Sequence, residues 1–111
     1  MPNLTEQAQK ALVQMNEAEA LLADPGVLND SKKLKEASVA YSRAKELAEV
    51  SQKYLNIQHA LKDAQEAAAS DDAEMKEMGE SEKVRLMAEL PDIEAELEVM
   101  LVPPDPYDAK D

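Results

Sequence analysis

The sequence predicts an all-α protein, an antiparallel helical bundle or long helical hairpin built from three main helices. Strong helix formers dominate its 111 residues, and Ala is the most frequent of them. Only two glycines interrupt the chain, and Phe, Trp and Cys are absent. A core of Ala, Leu and Met suits helices that pack close together better than it suits a thick globular interior.

The first helix is predicted from Asn3 to Ala23. Asn3 is a suitable N-cap residue, with Glu6 as its capping-box partner. The segment 24–26, Asp-Pro-Gly, should end this helix in a turn, because proline disfavours a helical residue before it. Apolar residues of the helix alternate spacings of four and three, which is typical of a coiled-coil seam: Leu4, Ala8, Ala11, Met15, Ala18 and Leu22.

The second helix should begin near Asn29–Ser31, where three capping-type residues stand together. No Gly or Pro follows until past Ala69, so the helix spans about 38 residues, or roughly 57 Å. A helix of this length belongs to a long hairpin or an extended bundle. Its seam is weaker at first and strongly periodic later: Leu34, Ala37, Tyr41, Ala44 and Ala48, then Leu47, Val50, Tyr54, Ile57, Leu61, Ala64 and Ala68.

The third helical stretch begins at residues 70–72, Ser-Asp-Asp. We expect a break near Gly79 and a kink at Pro91, because proline cannot donate a hydrogen bond to the carbonyl of Met87. The seam resumes beyond Gly79 with the same alternation: Leu86, Leu90, Ile93, Leu97 and Met100.

Two units are predicted along the chain. Residues 1–102 form a helical N-terminal domain. Residues 103–111, Pro-Pro-Asp-Pro-Tyr-Asp-Ala-Lys-Asp, have the composition of an extended linker. A linker in this place suggests that the protein continues into a central domain that this chain lacks.

The charge is divided unevenly. Residues 1–62 hold 8 acidic and 8 basic side chains, whereas residues 63–111 hold 16 acidic and 4 basic ones, so the whole net charge of −12 lies in the second part. This acidity argues against direct nucleic-acid binding and suits either a basic protein partner or a simple solvated surface. No apolar run approaches the length of a membrane span, and the absence of Cys fits a reducing cytoplasm.

No catalytic, cofactor-binding or metal-binding residue is predicted. The single histidine, His59, stands beside the seam of the second helix and is expected at its surface. Glu94, Glu96 and Glu98 point to different helix faces, so they cannot share one cleft. The richest acidic cluster lacks the spacing of a calcium loop and is interpreted as a first-turn cap: Asp71, Asp72, Glu74 and Glu77.

Three further features carry weaker signals. Gly26 and Gly79 are isolated, so there is no phosphate-binding loop. The one basic patch is interpreted as a solvated surface in preference to a contact with RNA phosphate: Lys32, Lys33 and Lys35. Four methionines are interpreted as seam filler in preference to a peptide-binding groove: Met75, Met78, Met87 and Met100.

Three motifs resemble the bacterial peptide chain release factor 1 family. Residues 101–108, Leu-Val-Pro-Pro-Asp-Pro-Tyr-Asp, resemble the Leu-Leu-Pro-Lys-Asp-Pro-x-Asp segment that leaves the family's N-terminal domain. Residues 71–78 resemble its Asp-x-Glu-Met-x-x-Met element, and residues 21–25 fit its opening Leu-Leu-x-Asp-Pro. The resemblance covers essentially the whole chain. It departs at Pro104, where the family usually has Lys.

The resemblance implies the helical N-terminal domain of a factor that reads UAA or UAG, which is placed near the stalk base of the large ribosomal subunit. The resemblance then implies that the full-length factor binds the ribosome, does not associate with a membrane and uses no cofactor. In that family, a Pro-x-Thr-type loop reads the stop codon, and a Gly-Gly-Gln loop is used for peptide release. Neither tripeptide occurs here, so no such residue can be carried over.

A second function remains open from the seams alone. Sustained three–four spacing is also typical of a free-standing coiled-coil adaptor or co-chaperone that acts by self-association. The isolated helical part of a release factor could equally form a homodimer, because separation from the rest of its chain exposes a normally covered face.

Overall fold

The structure is a computed structural model that describes residues 3–101, and the predicted linker lies outside them. Within that range the chain is all-α and contains no strand, which confirms the predicted class. The molecule is elongated, with extents of 62 × 37 × 22 Å. Its helices are α1 (Leu4–Leu22), α2 (Pro25–Leu28), α3 (Ser31–Ala68) and α4 (Ala73–Leu101).

Helix α1 begins as the sequence predicts. The Asn3 side chain accepts a hydrogen bond of 2.8 Å from the backbone N–H of Glu6, which satisfies one of the free donors of the first turn. All six seam residues of α1 are buried or half-buried. Side-chain capping and periodicity therefore both located this helix correctly.

The predicted turn after α1 is instead the short helix α2. Asp24 caps it by accepting a hydrogen bond of 2.8 Å from Gly26 N–H, and Asn29 N–H donates to the Pro25 carbonyl at 3.0 Å. Pro25 occupies the first turn, where the missing N–H has no helical partner to lose and the fixed φ suits a helix. Helix α1 does end before Asp24, as predicted, but the chain continues into a short helix and not a simple turn, because proline is favoured in the first turn of a helix.

Helix α3 is the central element, and both α1 and α4 pack against it. It spans 38 residues, as predicted, and Asp30 caps it by accepting hydrogen bonds from Lys32 and Lys33 N–H. Every seam residue predicted for it is buried or half-buried. A helix this long is stable because it is covered along its first part by α1 and along its second part by α4.

The predicted break at Gly79 is wrong, because α4 is continuous from Ala73 to Leu101. Gly79 is buried, and a Cβ atom there would stand 2.4 Å from the Ala68 nitrogen and 2.7 Å from the Ala64 oxygen. The glycine therefore permits close approach of α4 to the backbone of α3. Pro91 lies inside α4 with helix on both sides, and the kink there stays a prediction.

The buried core cluster lies where three helices meet. Ala8 of α1, Val50 and Tyr54 of α3 and Leu97 of α4 form one buried cluster. The start of α1 and the end of α4 thus lie together at the middle of α3. Half-buried side chains surround the cluster: Leu4, Leu47, Leu55, Leu90, Ile93, Met100 and Leu101.

Ser51 offers a test of this packing, since it is fully buried and its hydroxyl has no hydrogen-bond partner. We expect Ser51→Ala to raise the free energy of unfolding by about 1 kcal/mol, because it removes an unsatisfied buried polar group. Urea unfolding measures the change. Ser42→Ala, on the exposed side of the same helix, controls for helix propensity. A loss of stability in Ser51→Ala alone would show that the hydroxyl makes a stabilising contact.

Candidate interaction site

A short polar network joins α1 to α3 beside the buried cluster. The Thr5 hydroxyl donates to Gln58 Oε1 at 2.8 Å, and Gln58 Nε2 donates to the Tyr54 hydroxyl at 2.8 Å. Each of these groups is a donor or acceptor that would be costly to bury alone. The network is structural, since it connects two helices and is not arranged around a cleft.

The histidine lies at the surface, as predicted. The His59 side chain is 78% exposed, and its Nε2 stands 3.6 Å from the Asp63 carboxylate one turn further along α3. A nucleophile would have to sit within hydrogen-bond reach of this imidazole to be activated by it. The hydrogen bonds of the described residues place no Ser, Thr or Tyr hydroxyl on His59.

The acidic cluster begins helix α4. Asp72 accepts a hydrogen bond of 2.9 Å from Glu74 N–H, while Ser70 Oγ accepts one of 3.1 Å from Asp72 N–H. Asp72 thus has the capping role that the sequence predicted for the whole cluster. Among residues 3–101, no three His, Asp or Glu side chains lie close enough together to hold a metal ion.

The basic patch and the three glutamates near the end of α4 lie on different helices. Lys32, Lys33 and Lys35 are exposed around the first turn of α3, and two of their backbone N–H groups serve the Asp30 cap. Glu94 is half-buried, whereas Glu96 and Glu98 are exposed. The expectation of three different faces was wrong for Glu94 and Glu98, because residues four apart in a continuous helix share a face. The structure brings neither set together into a binding pocket.

The methionine prediction is largely wrong. Met100 packs against the buried cluster, but Met75, Met78 and Met87 are exposed, Met78 by 69%. Spacing alone could not separate these residues, because methionine is common both in seams and on binding surfaces.

Most of the exposed apolar side chains of α4 lie on one face, which is separate from the predicted seam. At about 100° per residue, they lie nearly opposite the seam that packs on α3. Val84 is 71% exposed and Val99 is 73% exposed. We call this the outer face of α4, and it consists of Val84, Met87, Ala88, Pro91, Ala95 and Val99. The detectable signal was a second apolar stripe at three–four spacing, running parallel to the seam.

Carboxylates border the outer face. Arg85 is engaged by Glu82 at 2.7 Å and by Glu89 at 3.0 Å on α4 itself. Hydrogen bonding and charge from Arg85 hold the pKa of Glu82 below its ordinary value, and the same pair raises the pKa of Arg85. No Lys, Arg or His follows Arg85 within the described part of α4. The outer face is therefore apolar along its middle. Lys83 and Arg85 stand at its edges near Val84, and beyond Arg85 the only charged side chains of α4 are carboxylates.

The acidic second part of the chain predicts a salt effect on stability. We expect the melting temperature to rise by a few degrees between low ionic strength and about 0.15 M salt, because screening relieves carboxylate repulsion. Differential scanning calorimetry measures it. The variant Glu94→Gln/Glu98→Gln should melt higher than the parent at low salt and respond less to added salt. A flat or falling melting temperature would contradict a concentrated acidic surface.

Residues 3–101 form an elongated helical structure with an apolar stripe on an acidic helix, and these are features of a binding module. The PCRF domain, a domain family, matches residues 11–111 of this sequence. The chain therefore belongs to the PCRF domain family. Within residues 3–101, no helix has the length and hydropathy that a membrane crossing requires.

Curated relatives agree with the family. The chain is 39% identical over 99 residues to peptide chain release factor 1 of Staphylococcus aureus strains bovine RF122 / ET3-1, MRSA252 and JH9. The alignment covers 88% of this chain but only 27% of each relative, so the chain spans about a quarter of their length. No solved structure matches the chain significantly. The resemblance to release factor 1 expected from the motifs is confirmed.

Proposed function

We propose that this chain is the helical N-terminal domain of a translation release factor and that it positions the factor on the ribosome during stop-codon-dependent termination. The observation that carries the proposal is 39% identity to release factor 1 across 88% of the chain. The elongated fold supports it, since a 62 Å arm of packed helices can hold a contact far from the reacting centre. The factor would act in the cytoplasm, where translation takes place.

Binding, and not chemistry, is the role that this domain can perform. Gly26 and Gly79 stand far apart, so the chain contains no Gly-Gly-Gln tripeptide. Peptidyl-tRNA hydrolysis and codon reading therefore belong to other parts of the complete factor. We infer that the domain contacts the stalk-base region of the large subunit and that residues 103–111 link it to a central domain.

Deletion in the complete factor tests the positioning role. The complete factor encoded by the gene is compared with a variant that lacks residues 1–101. The measurement is a reconstituted peptide-release assay on ribosomes stalled at UAA. We expect the factor concentration for half-maximal release to rise about tenfold while the maximal rate is largely kept, because the domain contributes binding shared by the ground and transition states.

Two results would contradict the proposal. An unchanged half-maximal concentration would exclude a positioning role, and a loss of maximal rate alone would assign the domain to the chemical step. Sequencing the parent gene gives an independent check. Absence of Gly-Gly-Gln codons in frame beyond Asp111 would remove the release-factor assignment itself.

The self-association alternative has a weaker basis once the structure is known. The alternative was based on the three–four spacing of the seams. Those seam residues are already buried or half-buried within one chain, so they are not free to pack against a second copy. Sedimentation at micromolar concentration separates the two functions. An obligate, tight dimer would favour the adaptor, whereas a monomer agrees with a domain that acts through a larger factor.

A further inference from the structure

The outer face of α4 is not needed to hold the helix in the fold. Helix α4 packs on α3 through the opposite side, where Gly79, Leu86 and Leu97 are buried. A surface helix normally presents polar residues to solvent on the side away from the core. Here six apolar positions continue over about four turns, roughly 22 Å, from Val84 to Val99. A continuous exposed apolar stripe of this kind marks a binding surface.

The charges around the stripe specify the chemistry of its occupant. Residues 84–99 contain five carboxylates and one Arg, so their net charge is −4. The single Arg85 is already engaged by Glu82 and Glu89. Glu94 and Glu98 lack a basic partner on α4 and stand beside the apolar residues, whereas Asp92 lines a surface hollow together with Lys53 of α3. An occupant must bring apolar side chains for the stripe and positive charge for its edges.

Other classes of occupant fit these charges poorly. A second copy would bring another segment of net charge −4 against the first, and like charges across an interface oppose association. An RNA backbone or an anionic lipid surface would meet the same repulsion. A basic amphipathic helix satisfies both requirements, because apolar residues at i, i+3, i+4 and i+7 match a helical stripe and Lys or Arg can flank them.

We propose that the outer face of α4 binds a basic amphipathic helix of a partner protein. The partner's apolar residues pack on Val84, Met87 and Val99, and its Lys or Arg side chains pair with the bordering carboxylates. This binding mode is independent of the proposed role in termination, and either can fail without the other.

A designed peptide tests the proposal with the 111-residue chain. The probe is a synthetic Leu/Lys peptide of about 18 residues whose Leu residues follow a helical stripe. One control peptide has the same composition in scrambled order, and another keeps the stripe but replaces Lys by Glu. Isothermal titration calorimetry measures affinity. We expect binding of the patterned basic peptide alone, weakened by added salt.

Two triple variants locate the surface. Val84→Ser/Met87→Ser/Val99→Ser should weaken peptide binding about tenfold or more, because it removes the apolar anchors. The matched control Val13→Ser/Leu21→Ser/Val39→Ser alters exposed apolar residues of α1 and α3 and should leave the affinity nearly unchanged. All six positions are exposed, and circular dichroism verifies that both variants keep the fold.

Several outcomes would overturn the proposal. They are failure of the patterned peptide to bind, equal binding of the scrambled peptide, and equal loss in the control triple variant. If the chain forms a dimer and the outer-face triple variant abolishes that dimer, the surface binds a second copy of the chain. Binding of a single-stranded RNA oligonucleotide that is lost in the same variant would assign it to nucleic acid.

Discussion

Replacing Leu97 by Ala is expected to lower the free energy of unfolding by about 2–5 kcal/mol, the range for a buried leucine truncated to alanine. Leu97 is fully buried and contributes the α4 side chain to the cluster with Ala8, Val50 and Tyr54. Three helices border the resulting cavity. Since none of them can close it without losing contacts to the other two, most of the cavity should persist.

The matched control lies two residues further along the same helix. Val99 is 73% exposed, and Val99→Ala should change the free energy of unfolding by about 0.5 kcal/mol or less. Urea unfolding followed by far-UV circular dichroism measures both variants. Similar small effects in the two would mean that the end of α4 is not packed at the three-helix junction.

Replacing Gly79 by Ala should destabilise the protein even though alanine is the better helix former. Alanine gains roughly 0.5–1 kcal/mol of helix propensity over glycine. The added Cβ, however, would meet three backbone atoms of α3 at 2.4–2.8 Å, contributed by Ala64, Ala67 and Ala68. Backbone cannot rotate away as a side chain can, so the helices must separate. We expect a net loss of about 1–3 kcal/mol in the free energy of unfolding.

Two controls separate this steric effect from propensity. Ser81→Ala changes an exposed residue of α4 and should be neutral or slightly stabilising. Gly79→Leu should cost more than Gly79→Ala, because its larger side chain enters the same gap. Thermal or urea unfolding of the three variants provides the comparison. A more stable Gly79→Ala protein would mean that α3 and α4 are further apart at this point.

Local signals in the sequence were sufficient for the fold class and for most of the helix boundaries. Asn3 begins α1 because its side chain can accept a backbone hydrogen bond in the first turn. Asp30 begins α3 in the same way, within the predicted interval. The seams of α1 and α3 could also be predicted from the sequence, because buried residues follow the periodicity of a helix wherever a neighbouring helix covers it.

The candidate site was only partly predictable. His59 and Asp72 lie where their surroundings in the sequence indicated, at the surface and at a helix cap. The outer face of α4 was missed because Met87 was assigned to the seam. A helical pattern shows which residues share a face, but it cannot show which of two apolar faces the rest of the protein covers.

The sequence by itself determined the all-α class, the length of α3, the seams and the resemblance to release factor 1. These depend on interactions within a few residues or on motifs preserved in order along the chain. Only the tertiary structure decided that Gly79 continues α4 and that Val84, Met87 and Val99 stay exposed. The physical reason is common to both. The effect of a missing Cβ or an apolar side chain depends on how closely another helix approaches it, and that distance is set by packing over the whole bundle.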